Sequence, residues 1–234
     1  MDIEFQQFIR YWPTLLQGLA YTVGLSSAVA VAGAAGGAVV CFLRLRPPGA
    51  LKWIARTYVG FFRTIPEMVL LFWIYYCLPI LTDVRISTIA TGVLGLALVA
   101  SAYLGEIFRT GVSAVPKGQF EAGESLGLPR WIIWRKIVLP QAIPVISGPL
   151  VNYSADIVKN TSLLAALGVA EIMYNSLSIG GKTFMYFEFV TIAGLAYFAI
   201  IFPLSMFAKS RESALAVHGG RRARANNFTA TSEK

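Results

Sequence analysis

The sequence predicts an all-α membrane protein, a polytopic bundle of about five transmembrane helices with the N-terminus outside and the C-terminus in the cytoplasm. Three observations predict it: long apolar stretches free of charge, little charge overall, and basic residues gathered in alternate connections. Only 14% of residues are charged, against about 25% in an average soluble domain. Apolar residues make up 56% of the chain, more than one soluble core of this size can hide. Residues 14–43, 86–105, 137–155 and 189–208 carry no charge, and residues 64–82 carry one, Glu67. About twenty apolar residues in a helix cross a bilayer core, so these are five candidate spans. Buried helices of a large soluble protein would show amphipathic stripes and more charge between them.

The net charge of +8 would suggest nucleic acid in a soluble protein, but its placement points to the membrane instead. Arg44, Arg46, Lys52, Arg56 and Arg63 follow the first span with no acid among them. Arg109, Lys117, Arg130, Arg135 and Lys136 lie between the third and fourth, and Lys209, Arg211, Arg221, Arg222, Arg224 and Lys234 lie in the tail. These are sixteen of the twenty basic residues, and the positive-inside rule puts their connections in the cytoplasm. An odd number of spans requires the same. The segment 1–12 has Asp2 and Glu4 and no basic n-region, so the first span is expected to remain uncleaved.

Each span has its own features. The first holds Gly33 and Gly37, with Ala30 and Ala34 beside them. This spacing lets two helices approach closely, or reflects only the abundance of small residues in membrane helices. Pro47, Pro48 and Gly49 break the chain after it, and residues 51–62 are expected to lie along the inner interface before the second span begins at Pro66. Cys41 and Cys77 fall near opposite membrane faces, which excludes a disulfide and leaves packing roles. The fourth span, with Pro140, Pro144, Gly148 and Pro149, is expected to be kinked and surrounded by protein. A shorter helical segment over 160–170 should follow it in the bundle interior. The domain reading is a transmembrane unit over 1–217 and a basic, disordered tail over 218–234. His218 is the only histidine, and no Cys/His cluster suits a metal.

The third connection, about 109–140, reads Glu121-Ala122-Gly123, then Gly127, then Ile137-Val138-Leu139-Pro140. It predicts a short helix with Phe120, Gly123 and Gly127 on roughly one face and Glu121 and Glu124 on others. Each glycine costs a surface helix about 1 kcal/mol relative to alanine. Two of them imply close approach to this chain's own helix ends or to another protein. A second helix, with Pro129 at its start, carries Trp131, Trp134, Arg135 and Lys136.

The loop resembles the EAA motif of bacterial ABC-importer permeases. The flanks resemble polar amino acid permeases of the histidine/glutamine type: Arg63-Thr64-Ile65-Pro66, Ala102-Tyr103-Leu104, Glu106, Arg109, Val115 to Gln119, Leu139 to Ala142, Asn152, and Lys159 with Thr161-Ser162-Leu163. The likeness runs from about Leu15 to Lys209. Gly123 stands where the motif has a second alanine, and Asn160 where the family has aspartate. The resemblance implies the type I importer permease fold and an inner-membrane, multi-pass location. It also implies a second permease copy or sister permease, a cytoplasmic ABC ATPase dimer and an external solute-binding protein. The cargo implied is a polar amino acid or close derivative. Phe120, Glu121, Ala122, Gly123, Leu126, Gly127, Leu139 and Pro140 are the expected ATPase-coupling residues. No GxxxxGK[ST] loop occurs, so ATP and Mg²⁺ are expected on the partner, and no catalytic residue, metal or cofactor on this chain.

Charges within spans are costly against lipid and should face the bundle, a partner or water. Glu106 and Arg109 are best read as a structural pair. Asp156 shares a helix face with Asn152, and Lys159 follows one turn later. An internal brace and a substrate role both remain open there. Glu67 has no basic residue one turn away inside its span, which makes it the strongest candidate, with Asn152 and Asp156, for lining a substrate path. An ion-coupled secondary transporter would account for these acids but not for the loop.

Overall fold

The computed structural model describes residues 2–46 and 48–206; the expected tail at 218–234 lies outside them. The described residues form eight helices and no strands. Helix α1, Asp2–Leu45, is about 66 Å long at 1.5 Å per residue. Its uncharged stretch over 14–43 explains its continuity, and Pro13 is accommodated near its start.

Helix α2, Ala50–Thr64, is amphipathic, burying Ala55 and Val59 and exposing Leu51, Trp53, Ile54 and Phe61. It meets α3, Glu67–Thr82, at 105°. The elbow falls where the sequence demands it. Ile65, preceding a proline, is extended (φ −69°, ψ 135°), and Pro66 caps α3 without an N–H to continue α2. If α3 crosses the membrane, α2 therefore runs nearly along its plane.

Helix α4, Thr88–Ser113, starts at Ser87, whose hydroxyl accepts from Ala90 N. It is the axis of the bundle, with Leu96, Val99, Ala100, Ala102 and Leu104 all buried. The small residues of α1 pack on it within the same chain. A Cβ on Gly33 would lie 2.6 Å from Ala100 Cβ, and one on Gly37 would lie 2.9 Å from Gly105 N. Contacts advance together along both helices, so α1 and α4 are parallel. Helix α3 is antiparallel to them, since Gly95 meets Leu71 while Tyr103 reaches back to Arg63.

Helix α5, Lys117–Ser125, is followed by the long irregular helix α6, Arg130–Leu167, which meets α7, Ile172–Thr183, at a 45° bend. The α-helical part of α6 runs through Pro144 and Pro149 without a break. The irregularities sit at its two ends: a π-helical turn over Ile133–Val138 and a 3₁₀ turn over Thr161–Leu167. The π turn directly precedes Pro140, whose ring would otherwise press on the carbonyl four residues back. The 3₁₀ turn is the expected interior segment, with Thr161, Leu164 and Leu167 buried.

Helix α8, Tyr186–Met206, begins beside the start of α1, where Tyr11 and Phe189 rings meet edge to face. A core of Leu25, Val29, Leu71, Leu96, Ala100 and Leu104 with Tyr153, Ile157 and Leu164 joins α1, α3, α4 and α6. Leu15, Ile172, Ile179, Phe189 and Ala193 form a second core joining α1, α7 and α8. Three described helices are long and apolar enough to cross a membrane alone, and five spans result if each bent pair crosses once. Cys41 and Cys77 are unpaired thiols.

Candidate functional site

Helix α5 is built by its boundaries. Pro116 precedes it, and Gly127 ends it in the left-handed conformation, φ +69°. Leu128 N donates to Gly123 O at 3.1 Å and Gly127 N to Glu124 O at 2.9 Å, the paired bonds of a Schellman cap. Gly127 therefore lies beyond the helix and shares no face with Phe120 and Gly123, which corrects the expected arrangement. A Cβ on Gly127 would meet nothing within 4 Å; the turn itself requires the glycine.

Gly123 is the close approach. It is buried, and a Cβ there would lie 2.9 Å from Ile133 Cγ1 and 3.1 Å from its Cδ1. The ring of Phe120 packs edge-on to Trp134, centroids 6.3 Å apart. Phe120 and Gly123 thus hold α5 on α6, while Glu121, Ala122 and Leu126 face away and are exposed. Leu126 is 77% exposed, a large apolar side chain bare at a helix end. Leu139 and Pro140 are exposed one helix further on, after the π turn. A cleft of about 560 Å³ opens behind α5, lined by Leu45, Val112, Phe120, Glu121, Glu124 and Trp134 among others. The Glu124–Arg130 contact at 3.7 Å is solvent-exposed and contributes little.

The second set of predicted residues lies deeper. Glu106 binds Arg109 through Nε at 2.9 Å and Nη2 at 2.6 Å, and Arg44 Nη2 stands 3.2 Å from its other oxygen. These groups pin α1 to α4, as a structural pair should. Asp156 and Lys159 pair at 2.9 Å and are about half exposed, with Asn152 exposed one turn before them. Glu67 borders a small cavity with Val29, Leu96, Val99, Tyr153, Ile157 and Asn160. The Asn160 side chain borders that cavity beside it, and Asp156 lies within electrostatic range. Arg63 turns elsewhere, its guanidinium 4.9 Å from the Tyr103 ring centroid, and Tyr103 stacks on Tyr153 at 4.9 Å.

Glu67 and Asn160 thus border one cavity, with Asp156 in electrostatic range of Glu67. An aspartate at 160 would add a third negative charge to this corner. Sequence reasoning missed that arrangement, and it missed Glu171, a fully buried acid whose side chain accepts from Met173 N and Tyr174 N at the start of α7. The only hint was an acid just before an apolar run, and glutamate is not a favoured N-cap.

Comparison with known proteins identifies the family and the fold. The family described as binding-protein-dependent transport system inner membrane component matches residues 30–215. The probable amino-acid ABC transporter permease protein YckA of Bacillus subtilis (strain 168) is 34% identical over 85% of this chain and 88% of its own length. The arginine transport system permease protein ArtQ of the same strain is 32% identical over 92% of this chain and 98% of its own. A crystal structure of an amino acid ABC transporter with histidines superposes with a TM-score of 0.80 at 28% identity, covering 90% of this chain and 98% of that one.

Proposed function

Since the chain belongs to the family of binding-protein-dependent transport system inner membrane components, we propose that it is the transmembrane subunit of an ATP-driven amino acid importer in a bacterial inner membrane. It pairs with a second permease, receives a polar amino acid or close derivative from an external binding protein, and is driven by a cytoplasmic ATPase dimer that holds ATP and Mg²⁺. The observation that carries this reading is the build of α5. The helix is anchored to its own chain by Phe120 and Gly123, and its Glu121–Ala122–Leu126 face is left bare for a partner. Reconstituted with its ATPase and binding protein, the chain should take up amino acid only when all components and ATP are present. Uptake that persists without the ATPase would identify an ion-coupled carrier instead.

Glu67, Asn152 and Asp156 are assigned to the substrate path, where the acids favour a cargo bearing an ammonium group. Glu67→Gln keeps the size of the side chain but removes the charge. Uptake should fall about tenfold, the scale of one lost charge-assisted contact, with the complex still assembled. Normal uptake by the variant, or failure only through dissociation of the complex, would remove Glu67 from the path. Orientation follows from the basic connections: single cysteines replacing Arg85 and Arg130 should react with impermeant reagents from opposite faces of intact cells. Labelling of both from outside would overturn the assignment.

A further inference from the structure

Glu171 and Tyr197 form a polar cluster that this reading of the transport path leaves without a task. The donors that reach the Glu171 carboxylate are neutral: Tyr197 OH at 2.6 Å, Tyr174 N at 2.8 Å, Met173 N at 3.0 Å and Thr22 Oγ1 at 3.4 Å. Thr22 also accepts from Ile172 N at 3.2 Å, so α1, α7 and α8 meet at one buried acid. Burying a carboxylate is costly, and a serine or aspartate would cap α7 as well or better. What the longer side chain adds is reach to α8.

The Tyr197 phenol also adjoins the Thr161 hydroxyl. One side chain of α8 therefore bonds one end of the stretch 161–171, at Glu171, and stands near the other. The residue immediately before that stretch is Asn160, which borders the same small cavity as Glu67. Within it, Leu164 is fully buried and fills the space over Gly92 of α4. Much of α8 is otherwise bare, with Phe187, Leu195, Phe198 and Phe202 exposed.

We infer that Tyr197 and Glu171 are positioning residues for transport: they hold the stretch 161–171 so that Asn160 stays beside Glu67, and a shift of α8 is felt at that acid. The inference rests on the reading of Glu67 as part of the substrate path. Its test uses the full complex in proteoliposomes with ATPase and binding protein. Tyr197→Phe removes one hydroxyl and keeps the ring. Uptake should fall about tenfold, the scale of one hydrogen bond to a charged group, while stimulated ATP hydrolysis stays near wild type, so less amino acid moves per ATP. Glu171→Gln retains an acceptor for the backbone N–H groups and should shift the same ratio, less strongly. Asn160→Ala should lower uptake, and adding Tyr197→Phe should lower it no further, because the phenol acts through Asn160. Hydrolysis and assembly falling together with uptake at a constant ratio would mark a purely packing role and overturn the inference. Losses that multiply in the double variant would do so as well. A wild-type complex that moves no amino acid would sink the transport reading first, and the inference with it.

Discussion

Gly37→Leu is expected to abolish recovery of folded protein from membranes, whereas Gly24→Leu is not. The two glycines lie in the same helix and are equally apolar in context. A side chain at Gly37 meets backbone, Gly105 N at 2.9 Å, together with Leu104 Cβ at 2.9 Å. Backbone cannot step aside as a flexible side chain can. Overpacking typically costs about 1–3 kcal/mol where side chains alone must yield, and a rigid obstacle raises that cost. Lost with the contact is the register that brings Arg44 to Glu106. Gly24 is exposed and a Cβ there would meet nothing within 4 Å, so leucine at that position projects outward from the bundle. Size-exclusion profiles of the two variants in detergent decide the matter. A monodisperse Gly37→Leu protein at wild-type yield would show that the α1–α4 crossing is not where stability resides.

The second large effect concerns α5. Glu121→Lys should reduce uptake to background while membrane insertion and ligand capture by the binding protein persist. Glu121 is exposed and forms no ion pair among the described residues, and surface substitutions of that kind usually change stability by no more than about 0.5 kcal/mol. Any loss then reflects the partner contact and not the fold. Gly127→Val should also abolish uptake, by a different route. At φ +69° a β-branched residue is strained by roughly 1–2 kcal/mol or more, which undoes the cap and frees the end of α5. Asparagine tolerates that conformation, so Gly127→Asn should retain most activity, which a steric clash with a partner would not allow. Binding-protein-stimulated ATP hydrolysis in the reconstituted complex is the common readout. Wild-type stimulation and uptake in both Glu121→Lys and Gly127→Val would show that α5 does not couple the two proteins.

Much of the fold was legible in the sequence, and the reasons differ by element. Charge-free stretches of about twenty residues identify spans because lipid leaves the backbone few options, and Pro66 marks the α2–α3 elbow because proline lacks the N–H that would continue α2. The loop was legible from spacing, although its two glycines do different work: one is a contact and one a turn, and both are simply glycine in the sequence. Gly33 and Gly37 name a face but not its partner, which emerged as α4. The π and 3₁₀ turns of α6 left no periodic trace, since each changes the winding over only one or two turns. Asn160 and Glu67 are 93 positions apart, and Glu171 and Thr22 are 149 apart. No local pattern encodes such pairs.

Helix α1 is also a strut. One end, at Leu45, forms a wall of the cleft behind α5. Some 27 residues earlier, about 40 Å away along the axis, a Cβ on Gly18 would sit 3.0 Å from the Ile172 backbone at the start of α7. A push delivered at one end of such a strut arrives at the other without passing through any flexible joint. Its stiffness is borrowed, because Gly33, Gly36 and Gly37 would weaken an isolated helix, and α4 splints that stretch along its length. Softening the splint would lengthen the delay between the two membrane faces before it changed what either face binds.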